Sequence, residues 1–445
     1  MKQAFNFSFL NLGCTKNLVD TQYLMGNIFL LWTNNPNYTI QYISDPYDKK
    51  TEYVFLNTCG FIKSWRDEML ATMEKLLKVG KKIYLLGCGL QYFAETWKIA
   101  PLLKNPNIHC ISRWDRENIT IANLMAWYSS KTFPDFKFPK EKIQAYTNAA
   151  YKFEYLKIAE WCDNKCTFCI IPKLRGKLQS RTVPEIIKDA EHMVKSGIEE
   201  IILIAQDTSR YGCDRYGKSA LLTLLRRMDK IPGNFKYRLL YLYPDIITLN
   251  EIKEFKTLKK FIPYFDIPFQ HVSQNVLKKM GRLTREKQVA YPAMMKEIKK
   301  IFPKSYIRTN IIIGFPGETE KDFQELKAFI QESDFDNIAL FEYHDEPLAT
   351  SSKLPWKISD KVIRDRFVEL DDIVDKKITA KEQARKDKTF TGYVMGIKST
   401  TKLIVRPSLH APEMDPCDTI LIDQITKVFN DTGTVSIGDK VTYQL

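Results

Sequence analysis

Three cysteines fall within eight residues, Cys162, Cys166 and Cys169, in a C-x3-C-x2-C loop. Thiolates are soft ligands that suit iron–sulfur groups or zinc and exclude magnesium and calcium. A short loop carrying three of them can cap three corners of a cubane, which leaves a fourth iron without a protein ligand. An open coordination position is what a catalytic metal centre needs. Zinc usually closes its site with four protein ligands. No histidine stands nearby at zinc-finger spacing, since His192 falls mid-helix and His271 lies far along the chain. The loop therefore reads as an iron–sulfur centre with an open iron, set against a zinc knob or three structural cysteines.

A second set of cysteines is dispersed. Cys14, Cys59 and Cys88 each follow an apolar run, namely 7–13, 53–58 and 83–87. These runs alternate with helix-like stretches over the first ~130 residues, the rhythm of a parallel sheet with helices on its faces. In such a sheet the carboxyl ends of the strands share one edge where ligands gather, so the three cysteines are expected to converge there. Cys110 lies inside the apolar run 108–111 and is expected to be core filler. Cys213 and Cys417 have no partner spacing. Nine cysteines are too irregular for a disulfide framework in a reducing compartment.

The elements that must position the C-x3-C-x2-C loop come next. Six strand-like runs, 155–160, 200–206, 237–243, 263–267, 306–315 and 337–343, alternate with helical patterns. Helix starts are marked by Thr182 with Pro184 and Glu185, and by Thr319 ahead of Phe323, Leu326, Phe329 and Ile330. Six βα units imply an open (β/α)6 partial barrel with functional residues at the strand C-termini. Gln206 and Asp207 end the second of these strands. Gly314-Phe-Pro316-Gly317 follows the fifth and opens a helix, where a glycine turn lets backbone approach a ligand. A charged helix is expected from about 357 to 387. Short β runs separated by Gly, Pro, Asp and Asn then indicate a small all-β barrel. The expected division is 1–130, a linker at 131–149, a domain at 150–385 and a tail at 388–445.

The chain has 445 residues, a formal charge of +14, and no window of the ~18 apolar residues a membrane span requires. Its start lacks the basic and apolar regions of a signal peptide, so a cytoplasmic protein without membrane attachment is expected. The charge points to a polyanionic neighbourhood, with RNA or the ribosome as the obvious case.

These features together carry a resemblance. The C-x3-C-x2-C loop resembles that of the radical S-adenosylmethionine (radical SAM) superfamily. Residues 11–20 (NLGCTKNLVD), 57–60 (NTCG) and 87–88 (GC) look like the N-terminal domain of methylthiotransferases, and the likeness covers nearly the whole chain. It implies a flavodoxin-like front domain and a tail that the family calls a TRAM domain. It also implies two 4Fe–4S clusters, one on Cys162, Cys166 and Cys169 and a second, concerned with sulfur delivery, on Cys14, Cys59 and Cys88. The open iron would chelate S-adenosylmethionine, with Phe168 packed beside the cluster and Gly314, Pro316 and Gly317 near the adenosine. Gln206 and Asp207 are read as cofactor or substrate contacts.

Residues 155–160 (YLKIAE), 204–208 (IAQDT), 241–245 (YLYPD) and 266–271 (DIPFQH) look like the RimO-type branch, which acts on a ribosomal protein. That branch implies β-methylthiolation of an aspartate in a small-subunit ribosomal protein, the S-twelve protein, with flavodoxin or ferredoxin as electron donor. The tail from 388 onward carries six basic and six acidic residues. A tail gripping tRNA should be distinctly basic, because phosphate contacts dominate nucleic-acid affinity. The alternatives are a tRNA (adenosine) methylthiotransferase and, outside enzymes, an iron–sulfur or zinc protein that binds RNA. Gly89 and Tyr92 depart from the family pattern beside Cys88 but leave the cysteines intact.

Overall fold

The structure, a computed structural model, describes residues 3–33, 38–96, 104–111, 144–282, 291–430 and 433–445. Most of the expected linker, 131–143, lies outside them. The chain divides into two compact units, 1–147 with 173–175, and 148–172 with 176–445.

The first unit is a five-stranded parallel sheet. Its elements run β1 (Gln3–Leu12), α1 (Thr15–Thr33), β2 (Tyr38–Tyr42), β3 (Tyr53–Thr58), α2 (Lys63–Lys78), β4 (Lys82–Gly87), α3 (Cys88–Thr96) and β5 (Ile108–Cys110). The strand order is β2-β1-β3-β4-β5, which is the flavodoxin-like order with its switch point between β1 and β3. β3 is buried along its whole length, as a strand covered on both faces should be. Phe5, Phe7, Phe55, Tyr84 and Leu86 pack with Leu24 and Ile28 of α1 into one core. Cys110 departs from expectation. β5 is a three-residue edge strand, and Cys110 at its end is exposed.

The second unit opens with β6 (Phe153–Lys157) and a ribbon of β7 (Ala159–Glu160) and β8 (Gln179–Ser180). It continues through α4 (Val183–Lys195), β9 (Glu200–Ile204), α5 (Leu221–Met228), β10 (Lys236–Leu239), α6 (Leu249–Phe255), β11 (Phe261–Asp266), α7 (Tyr291–Ile301), β12 (Tyr306–Ile313), α8 (Glu320–Glu332), β13 (Asn337–Glu342) and α9 (Asp360–Gln383). The six barrel strands pair in parallel in chain order, β13-β12-β11-β10-β9-β6. Neighbouring strands follow one another in sequence, as right-handed βα units produce. Local chemistry marks the helices. Thr182 and Glu185 close a capping box on α4, and Thr319 and Asp322 do so on α8, each satisfying amides the first turn leaves open.

The tail curls as β16-β15-β14-β18-β17, all antiparallel, from β14 (Thr389–Ile397), β15 (Lys402–Pro407), β16 (Asp418–Leu421), β17 (Ile425–Val428) and β18 (Lys440–Gln444). Val394, Leu403, Val405, Ile420, Val441 and Tyr443 form its core. It belongs to the same compact unit as the barrel, and buried charge explains why. Glu200, at the start of β9, accepts from Arg238 Nε at 2.6 Å and from Arg406 Nη2 of β15 at 2.8 Å. Three further donors, Arg238 Nη1 and Nη2 and Arg406 Nη1, go to the carbonyls of Leu409, Ser408 and His410. All three charged side chains are at most 2 % exposed. Tyr155 donates to the Pro412 carbonyl, and Asn337 to Asp415 at 2.7 Å. The loop 408–417 is thus fixed against residues at the amino ends of the barrel strands.

Candidate active site

The cysteine loop of the second unit lies at the other end, where the strands finish. The chain leaves β7 through Trp161, which holds a left-handed φ of 63°, and enters the cysteine loop. Backbone amides meet two of the sulfurs: Asn164 N donates to Cys162 Sγ and Ile171 N to Cys169 Sγ, each at 3.4 Å. The third sulfur has side-chain company. Tyr243 Oη lies 3.4 Å from Cys166 Sγ, and Arg282 Nη1 lies 3.9 Å away with its guanidinium 4.0 Å above the Tyr243 ring. Arg282 also donates to the Pro268 carbonyl at 2.6 Å, while Tyr291 donates to Asp245 at 2.7 Å. Burial pushes the Cys162 thiol up to about 12, with the charge of Asp207 adding to it, and raises Cys169 for the same first reason. Such thiols become thiolates when a metal takes the proton's place.

Polar residues after β9 brace this loop. Asp207 accepts from Asn164 Nδ2 at 2.7 Å and from Ser209 N at 3.0 Å, and Arg210 ties Asn164 to Asp163. Asp207 thus accepts the hydrogen bonds that shape the loop. Gln206 differs, since its Oε1 is buried with no hydrogen-bond partner among the described residues. Phe168 is half-buried. In the glycine turn, Gly314 N donates to Glu318 and Gly317 N to the Trp356 carbonyl, both at 2.9 Å. Pro316 is buried between them. Sequence reasoning missed Tyr243, Arg282 and the buried His271–Glu318 pair at 3.5 Å. Tyr243 and Arg282 meet Cys166 from 77 and 116 positions away, and His271 meets Glu318 from 47, so no local spacing announces these contacts.

The first unit gathers its own three cysteines, as expected from their strand ends. Cys14 and Cys59 flank the switch point, and Cys88 opens α3. Asn17 ties them together. Its Oδ1 lies 3.8 Å from both Cys14 Sγ and Cys88 Sγ, while its Nδ2 donates to the Thr58 carbonyl. Phe61 N reaches Cys59 Sγ at 3.4 Å, and Arg175 Nε reaches Cys88 Sγ at 2.9 Å. Backbone crowds closely here: at Gly87, φ is 98° and a Cβ would stand 2.2 Å from Asn57 Oδ1. Burial, then the charges of Cys14 and Cys88, push Cys59 up to about 12. Burial also raises Cys14, but the positive charges of Lys16 and Arg175 bring it net downward.

Among the described residues, no three His, Cys, Asp or Glu side chains are arranged around a single ion. What both sites do present is three cysteine sulfurs met by N–H or O–H donors, the environment that steadies iron–sulfur ligands. The residues fit such a group.

Comparison with known proteins agrees with this geometry. The radical SAM superfamily pattern matches residues 156–330, and that of an uncharacterised family, UPF0004, matches residues 6–103. A relative in Chlamydia felis, ribosomal protein uS12 methylthiotransferase RimO, is 33% identical across 98% of this chain and 94% of its own length. Proteins of the same name in Clostridioides difficile and Dictyoglomus thermophilum are 36% and 34% identical, over 87% and 100% of this chain and 88% and 97% of their own. The chain belongs to the RimO family. Membership of the radical SAM superfamily implies a 4Fe–4S cluster and S-adenosylmethionine. The fold is also that of the radical SAM methyltransferase TsrM of Kitasatospora setae, with a TM-score of 0.51 at 9% identity over 78% of this chain and 77% of that one. In this RimO-family chain no helix of the described residues is long and apolar enough to cross a membrane.

Proposed function

We propose that this chain methylthiolates the β-carbon of an aspartate in ribosomal protein uS12. Cys162, Cys166 and Cys169 hold the cluster that works with S-adenosylmethionine, and Cys14, Cys59 and Cys88 hold a second 4Fe–4S cluster. The observation that carries this reading is the pairing of two three-cysteine sites, each at strand carboxyl ends and each with donors on its sulfurs, in a member of the RimO family. When bound, the cluster and S-adenosylmethionine supply a radical able to take hydrogen from an unactivated carbon, chemistry no side-chain acid or base performs.

The protein's own residues orient and insulate. Asp207, Asn164 and Arg210 hold the cysteine loop in one shape. Tyr243 and Arg282 place a hydroxyl and a positive charge beside Cys166, favouring negative charge on that sulfur. Gln206 Oε1 is an acceptor for a cofactor or substrate N–H, and the turn from Gly314 through Pro316 to Gly317, with Phe168, is the surface for the adenosine part. The neutral tail suits a basic ribosomal protein better than tRNA. A one-electron carrier such as flavodoxin or ferredoxin is the reductant, and the basic chain meets its substrate in the cytoplasm, at or near the ribosome.

The test is anaerobic reconstitution with iron and sulfide counting, then reduction with S-adenosylmethionine and a peptide from the uS12 loop. About eight irons per chain, the content of two 4Fe–4S groups, and a peptide heavier by one methylthio group support the reading. 5′-Deoxyadenosine with an unmodified peptide moves the substrate to tRNA. A chain that takes up only zinc and cleaves nothing removes the enzyme reading. Cys166→Ala should abolish cofactor cleavage, whereas Cys59→Ala should spare it and stop sulfur insertion.

A further inference from the structure

Arg175 ends the short helix Ile171–Arg175 and is counted with the first compact unit. It is 4 % exposed, and its guanidinium is directed at the dispersed cysteine site. Nε donates to Cys88 Sγ at 2.9 Å, Nη2 donates to Asn17 Oδ1, and Nη1 stands 3.7 Å from Asp20 Oδ2. Asn17 Oδ1, in turn, is 3.8 Å from the sulfurs of Cys14 and Cys88. The choice of partners is informative. A buried guanidinium is normally satisfied by a carboxylate taken in the forked, two-bond manner. Here the Asp20 carboxylate stands at ion-pair distance, 3.7 Å from Nη1, and Nε is directed at a sulfur 2.9 Å away. A neutral thiol is a weak acceptor, so a buried full charge aimed at one makes sense where that sulfur carries negative charge. Lys16, only 8 % exposed and acting on Cys14, adds a second cation to the same place.

We propose that Arg175 is a positioning residue for the second cluster: its N–H···S bond fixes Cys88 as a ligand, and its charge raises that cluster's reduction potential. The inference rests on the two-cluster reading above. Hydrogen bonds and positive charge at ligand sulfurs stabilise the reduced, more negative state, which sets the sign of the effect.

The experiment uses the full chain carrying Cys162→Ala, Cys166→Ala and Cys169→Ala, so that any cluster bound is the second one. Arg175→Met and Arg175→Lys are added to this parent, each is reconstituted anaerobically, and folding is checked by far-ultraviolet circular dichroism. Iron content and the midpoint potential, followed by electron paramagnetic resonance, are the readouts. A folded Arg175→Met chain with a more negative potential, or with the iron lost, supports the proposal. Arg175→Lys, which keeps the charge and loses the Nε–H, should shift the potential less in the same direction, and it decides the matter alone should the Met variant not fold. The same substitutions are made beside Cys14→Ala, Cys59→Ala and Cys88→Ala, where the remaining cluster should keep its potential. Unchanged iron and potential in the first background, or equal shifts in both, overturn the proposal. A parent that binds no iron overturns the two-cluster reading and this proposal with it.

Discussion

Replacing Glu200 by Gln should loosen the tail from the barrel without touching the catalytic end. Glu200 is the shared counter-charge of two guanidiniums, at 2.6 Å from Arg238 Nε and 2.8 Å from Arg406 Nη2, and all three are buried. Removing one charge from a buried ionic group leaves the others uncompensated and costs about 3–5 kcal/mol. Total stabilities are roughly 5–15 kcal/mol, so the loss is a large fraction. Replacing all three residues with apolar ones, neutral in some proteins, should not rescue this one. The carbonyls of Ser408, Leu409 and His410 would lose their donors, at about 1–3 kcal/mol each.

Two assays read the effect of Glu200→Gln. Urea unfolding should shift to lower concentration, and proteolysis at the exposed segment 386–388 should quicken. The pH dependence has a definite sign. Burial raises the Glu200 carboxyl, but Arg238 and then Arg406 bring it net below its ordinary range. Its contribution is therefore complete above the ordinary carboxylate value and disappears only as pH falls through the lower folded value. Glu200→Gln should lack that acid-sensitive component. An unchanged urea midpoint and an unchanged rate of proteolysis would refute the argument that this triad holds the tail.

Three further outcomes are expected. Asp322 is set at about 2 because, although burial raises it, hydrogen bonds from Ser273, Thr319 and Asn275 more than offset that. It should contribute about 1–2 kcal/mol above pH 4 that is lost as pH falls from about 4 through 2, and Asp322→Asn should flatten the unfolding midpoint over that window. Gly87→Ala adds a Cβ 2.2 Å from Asn57 Oδ1 and 2.4 Å from the Thr58 carbonyl at a φ of 98°, so iron held by the first unit should fall while the chain still cleaves S-adenosylmethionine. Tyr243→Phe removes the hydroxyl 3.4 Å from Cys166 Sγ, and the paramagnetic signal of the cleavage cluster should shift with little change in stability, since among the described residues the hydroxyl meets sulfur alone, a weak partner.

Much of this was readable in the sequence because repetition made it so. Apolar runs alternating with capped helices place all six barrel strands, and cysteines at three strand ends foretell the first unit's site. The ends of strands were harder. The run 237–243 stays apolar past the last residue of β10 at Leu239, because Leu240 and Leu242 are fully buried at the barrel mouth although the chain has left the sheet. Hydrophobicity there reports filling of the barrel and not hydrogen bonding. β17 gives no sequence signal, since Ile425-Thr-Lys-Val428 is half polar and has no buried residue, leaving neither a continuous run nor a one-sided apolar face. Glu200, Arg238 and Arg406 were invisible for another reason. Charged residues are normally solvated, and nothing local to any of them says that a partner 206 positions away will bury it.

The two ends of the barrel therefore answer to different constraints. At the mouth, Trp161, Tyr241 and Gln270 hold left-handed backbone at φ of 63°, 63° and 68°. Each such residue costs about 1–3 kcal/mol and persists only where its surroundings leave no alternative. Tyr241 N is held by Asp266 Oδ2 at 2.9 Å, and Gln270 N donates to the Asn310 carbonyl at 2.8 Å. The amino ends of the same strands use left-handed backbone too, at Lys152 just ahead of β6 and at Glu413 in the docked loop, with φ of 61° and 62°, and they are locked by the Glu200 triad and the 408–417 loop. Left-handed backbone thus serves both ends: at the mouth it shapes the cysteine loop and its neighbours, and at the amino ends it meets the loop that docks the tail, where buried ion pairs hold it.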